Sequence, residues 1–195
     1  MRAALALAFS IFSTPALAHT GEDISGFTSG FFHPLFGWDH IAAMFAVGLW
    51  GAFLGRPAIY LLPIIFPLVM AIGGALGIAG IHLPAVEAGI AASALVLGVC
   101  VMMAAQPPLW IAAIAVGFFA IFHGHAHGTE LPHAANPFGY AAGFVVATGL
   151  LHLSGIAFGT LTRNAAGRVI VRGAGAIIAL AGIVLLAGSL AEIGG

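Results

Sequence analysis

Two short stretches of this chain concentrate side chains that bind divalent metals. The first is His33-Pro34-Leu35-Phe36-Gly37-Trp38-Asp39-His40. Asp39 and His40 head a long apolar run, and an ionisable residue entering such a run usually faces the interior of a helix bundle. Pro34 and Gly37 predict a bent entry that folds His33 back toward the pair. Capping of free amides explains Asp39 alone, but not two histidines beside it. The second stretch is Phe122-His123-Gly124-His125-Ala126-His127-Gly128-Thr129-Glu130. On a continuing helix His123, His127 and Glu130 fall at i, i+4 and i+7, on one face, with His125 pointing away as an additional ligand or proton relay. Two imidazoles and a carboxylate there supply three ligands to a first-row divalent ion. Gly124 and Gly128 permit either close approach or a break in the helix. The competing reading is a solvated histidine-rich loop.

Other residues join the candidates singly. Glu87 stands one turn into an apolar segment with no basic partner nearby in sequence, as a further ligand or counter-charge or as a carboxylate at a helix N-terminus. His82, just before it, is an entry ligand or a loop residue. His152 lies deep in a later apolar segment, about 22 Å from its outer end. It reads either as a buried histidine bonded to a neighbouring helix or as a lower metal station or proton relay. His19 offers an amine and an imidazole together if processing leaves it as the N-terminus. His133 is assigned no role, and Cys100 reads as a small core residue.

The elements that must position these groups are membrane helices. Of 195 residues 62% are hydrophobic and 6% charged, against about 25% charged in a soluble domain. Lipid is therefore the solvent for most of the chain. A net charge of -1 and the absence of lysine leave no basic patch for nucleic acid. They also exclude a phosphate-binding loop of the G-x-x-x-x-G-K type. Arg2, the apolar run Ala3 to Phe12 and Ala16-Leu17-Ala18 have the layout of a signal peptide, with residues 1–18 removed. Residues 19–195 then form a single all-α transmembrane domain of about six spans. We place these at Trp38–Leu54, Ala58–Gly80, Ala85–Ala104, Pro108–His125, Pro137–Leu161 and Val169–Ile193, with Pro or Gly at the breaks. Phe27–Phe32 reads as a short interfacial helix. With His19 outside, Arg56, Arg163, Arg168 and Arg172 all fall on the cytoplasmic side. The carboxylates and most histidines fall outside, as a cation-collecting surface.

The segments HPLFGWDH and FHGHAHGTE resemble the two signature motifs of the HupE/UreJ family of nickel permeases. The family pattern, a histidine, five residues and Asp-His, then F-H-G-x-A-H-G-x-E, is matched in full by His33, Asp39, His40, Phe122, His123, Gly124, Ala126, His127, Gly128 and Glu130. The resemblance implies secondary transport of nickel(II) or cobalt(II) across the inner membrane, for hydrogenase or urease maturation. The metal is then substrate rather than a resident cofactor, the partners are the bilayer and a cytoplasmic metallochaperone, and the chain is no enzyme. Imidazole and carboxylate without thiolate suit nickel, cobalt or zinc. Two rivals remain: a membrane metal sensor or chaperone that does not transport, and an intramembrane hydrolase using Ser154. Against the hydrolase, the Gly-x-Ser-Gly and H-E-x-x-H signatures are absent.

Overall fold

Helix breakers decide where the apolar segments end. The computed structural model describes residues 26–131 and 136–193; the expected signal peptide, His19 and His133 lie outside them. Seven α-helices occur among the described residues: α1 (Gly26–Phe36), α2 (Trp38–Leu54), α3 (Ala58–Ile78), α4 (Val86–Met102), α5 (Leu109–Glu130), α6 (Pro137–Gly159) and α7 (Ala165–Ile193), with a 3₁₀ turn at Thr160–Arg163. Four of them, α3, α5, α6 with its 3₁₀ extension, and α7, are long and apolar enough to cross a membrane. The other two apolar helices, α2 and α4, have 17 residues each, about 26 Å, the lower limit for a span.

The ends of α3 and α4 show how the chain turns. At α3 the Gly80 N–H donates to Gly77 and the Ile81 N–H to Leu76, with Gly80 at φ 69. That is a Schellman cap with glycine in the left-handed position. The end of α4 repeats both bonds, Ala104 to Val101 and Ala105 to Cys100, but the left-handed residue is Ala104, at φ 49. A Cβ there costs about 1 kcal/mol or more. Ala104→Gly should therefore raise the melting temperature in detergent by about 2–4 °C, read by a thermal-shift scan.

Helix α2 is the centre of the bundle. Its Ala43, Met44, Ala46, Val47, Leu49 and Trp50 are buried, and the Trp50 Nε1–H donates to the Ala105 carbonyl at 2.9 Å. Helices α3 and α5 pack together, as do α4 with α7 and α6 with both α1 and α2. Small residues allow it. A Cβ on Gly124 would strike the Met70 carbonyl, one on Gly128 the Gly74 carbonyl, and one on Gly48 the His152 carbonyl. Of the two uses foreseen for Gly124 and Gly128, close approach is the one found. Helix α5 therefore continues to Glu130, five residues beyond the expected His125, and the solvated-loop reading fails.

The outside of the bundle is apolar. Tyr60, Ile64, Leu68 and Ile72 of α3 and Ile177 and Leu180 of α7 are exposed, as a lipid-facing surface requires. Trp38 and Phe138 are exposed at one end, Tyr60 and Trp110 at the other, in the manner of interfacial aromatic belts. Charge is divided between the same two ends. The Arg172 Nε–H donates to Met102 at the end of α4. Arg56 follows the end of α2, and Arg163 and Arg168 flank the turn between α6 and α7. The histidines of α1, α2 and the end of α5 gather at the opposite end.

Candidate metal centre

Helix α1 is longer than the interfacial segment expected from Phe27–Phe32. It reaches Phe36 because one face lies against α6. A Cβ on Gly30 would meet the Tyr140 carbonyl, and one on Gly143 the Phe27 carbonyl. The chain then breaks at Gly37 (φ -88, ψ 112) before α2 begins. This kink leaves the His33 ring 5.8 Å from His40 and 4.8 Å from His127. The bent entry expected from Pro34 and Gly37 is present.

His33, His40 and His127 form the group among the described residues in which one ligand atom of each lies within 4.8 Å of the others. His127 and His40 are buried and His33 is half-buried. The two Nε2 atoms of His40 and His127 stand 2.6 Å apart. Asp39 Oδ1 accepts from the His40 backbone N–H at 2.8 Å and faces His40 Nδ1 at 2.7 Å. A carboxylate holds the proton on Nδ1, so the Nε2 of His40 is a lone pair and His127 supplies the hydrogen between the rings. A divalent ion bound between the rings would take that place, with the His127 proton carried on its Nδ1 instead. At metal–nitrogen lengths of about 2.0–2.1 Å, tetrahedral ligands sit about 3.3 Å apart, so the rings need to part by several tenths of an ångström.

Asp39 is thus placed as a brace: carboxylate to imidazole to metal is the usual arrangement that fixes ring orientation and raises ligand basicity. Asp39→Asn keeps an acceptor but removes the charge. Nickel affinity of the purified protein should fall about 10- to 100-fold, read by competition with a metallochromic indicator.

His123 is wholly buried, one turn from His127 and 5.2 Å from the His40 ring. Its Nδ1–H donates to the Phe119 carbonyl at 3.1 Å, and its Nε2 has no partner among the described residues. His125 points away, as expected, and its Nε2 hydrogen-bonds the Ile81 carbonyl at 2.7 Å. It ties α5 to the loop after α3 and stands outside the three-histidine group. Glu87 lies in the first turn of α4 and His82 is exposed in the loop before it; neither belongs to the three-histidine group. Glu130 ends α5, one helical face with His123 and His127.

His152 is 1% exposed and lies beside the Pro63 carbonyl. Pro67 leaves that carbonyl free: four residues on, it has no N–H to give. Ser154 sits on the exposed face of α6, its hydroxyl donating to Leu151.

Two further residues line the site without being of a metal-binding type. Phe144 lies 4.3 Å from the His127 ring, and Tyr140 5.9 Å from His33. Together they wall the group on the α6 side. Counting back from His152 in fours gives Thr148, Phe144 and Tyr140, one helix face, the signal that would have found them.

The HupE/UreJ family model matches residues 7–185. The chain belongs to the HupE/UreJ family. The protein HupE of Rhizobium leguminosarum bv. viciae is 49% identical over 173 residues, covering 89% of this chain and 91% of its own length. No solved structure matches. HupE/UreJ proteins are transporters, not enzymes, so the hydrolase reading is set aside.

Proposed function

We propose that this HupE/UreJ protein carries nickel(II), with cobalt(II) as the alternative cargo, across the cytoplasmic membrane, and that His33, His40 and His127 take the ion. The observation that supports this most is the convergence of three imidazoles from three helices on one point. Neutral nitrogen ligands suit nickel, cobalt and zinc. Membership of the family favours nickel or cobalt over zinc. Glu130 and Glu87 draw cations to this end of the bundle.

Sidedness follows from the arginines: with that end cytoplasmic, the histidine end and the mature N-terminus face the periplasm, after removal of residues 1–18. Entry of a doubly charged ion then runs down the membrane potential, a gain of about 4.6 kcal/mol at 100 mV, with no need of nucleotide hydrolysis. On the cytoplasmic side the acceptor is a metallochaperone of hydrogenase or urease maturation. The test is uptake of radioactive nickel into cells lacking their own nickel transporters, with cobalt, zinc and magnesium as competitors. Uptake suppressed by excess cobalt but not by magnesium is expected. Absence of uptake by a well-expressed protein overturns transport in favour of a membrane metal sensor.

A further inference from the structure

Below the three-histidine group the bundle contains polar atoms that no membrane core holds without cost. His123 Nε2, Thr148 Oγ1 and His152 Nε2 are buried and have no hydrogen-bond partner among the described residues. Thr148 is wholly buried and His152 nearly so. An unpaired polar group inside an apolar core is destabilising, and three in one region ask for an explanation.

The two imidazoles share one arrangement. His123 gives its Nδ1–H to Phe119. The Pro63 carbonyl lies beside His152, and the ring's Nε2 has no partner among the described residues. One nitrogen anchored on a backbone carbonyl and the other left as a lone pair is how metal-ligating histidines are held. The carbonyl beside His152 is free because Pro67 denies it its helical partner.

These groups stand in series. The His123 ring is 5.4 Å from Phe66, and the His152 ring is also 5.4 Å from Phe66. Phe66 is completely buried. Along α6, His152 is eight residues beyond Phe144, about 12 Å deeper, with Thr148 midway on the same face. An ion released from the outer group enters apolar surroundings, and conduction needs successive sites of moderate strength.

We propose that His152 and Thr148 form a second, inner station for the divalent cation, separated from the outer histidines by the Phe66 ring. It rests on the transport reading above and deepens it. His123 hands the ion past Phe66, the Nε2 of His152 receives it, and the Thr148 hydroxyl adds an oxygen ligand.

Two experiments on the full-length protein test it. Equilibrium dialysis of purified protein against radioactive nickel should show one bound ion fewer in His152→Gln than in wild type, with the outer-site affinity retained. Loss of a merely structural histidine removes no ion. In cells, His152→Gln should lower nickel uptake about tenfold. His152→Cys, with a soft thiolate at the station, should make cadmium a markedly stronger competitor of uptake. Equal stoichiometry in wild type and His152→Gln, or wild-type uptake with unaltered competition in His152→Cys, overturns the inner station. Failure of wild type itself to take up nickel overturns transport instead, and the dialysis result still decides whether His152 binds the metal.

Discussion

Replacing His40 with alanine should cut nickel uptake about 100-fold or more, the largest effect expected of any single site change. His40 is the hinge of the arrangement. One nitrogen meets Asp39 at 2.7 Å and the other meets His127 at 2.6 Å, while its ring also lies against His33 and His123. Alanine deletes one ligand, leaves Asp39 without the imidazole it orients, and opens a gap among rings that hold one another in place. His33→Ala removes a half-buried ligand at the rim and should cost less. Uptake of radioactive nickel at matched expression, over a range of nickel concentrations, separates the two. A His40→Ala protein that transports like wild type would remove the basis for placing the ion here.

The second large effect concerns folding. Gly124→Ala should lower stability by about 3 kcal/mol and prevent recovery of a monodisperse protein, although alanine is the better helix former. The new methyl would occupy the position of the Met70 carbonyl, and that obstacle is helix backbone rather than a flexible side chain. Relief requires α3 and α5 to separate, and with them Gly128 and Gly74, a turn further along the same seam. Gly149→Ala is the control. Nothing lies within 4 Å of a Cβ there, so stability should hold or rise slightly. Fluorescence-detected size exclusion after a heating series compares them. The two substitutions behaving alike would contradict close α3–α5 packing.

Most of the architecture and much of the site are legible in the residues themselves, and the limits are physical. The apolar segments stand out because lipid tolerates so few charges, and Pro or Gly marks their ends. His33, Asp39, His40, His123 and His127 are visible as metal-binding types at helical or near-helical spacing. The break at Gly37 is readable from Pro34 and Gly37, because a kink between two apolar stretches needs such residues. Sequence does not choose between close packing and a helix break at Gly124 and Gly128, since glycine serves both, and it places the end of α5 too early for the same reason. The tie from His125 to the Ile81 carbonyl is not legible, because its partner is a backbone group far away in the chain, which carries no residue signature. The roles of Tyr140 and Phe144 arise from packing of α6 against α1 and α2, and nothing in their own neighbourhood announces it. His152 stands out as deep and polar, but the free Pro63 carbonyl beside it depends on Pro67 of another helix.

Whether three imidazoles bind the transported ion is decided by X-ray absorption at the nickel edge, on purified protein loaded with less than one equivalent. A first shell containing about three imidazole nitrogens near 2.0–2.1 Å is expected, with the outer-ring scattering that histidine gives, reduced by one in His33→Ala. A shell of oxygen ligands without imidazole scattering, or one unchanged in His33→Ala, would contradict binding at His33, His40 and His127.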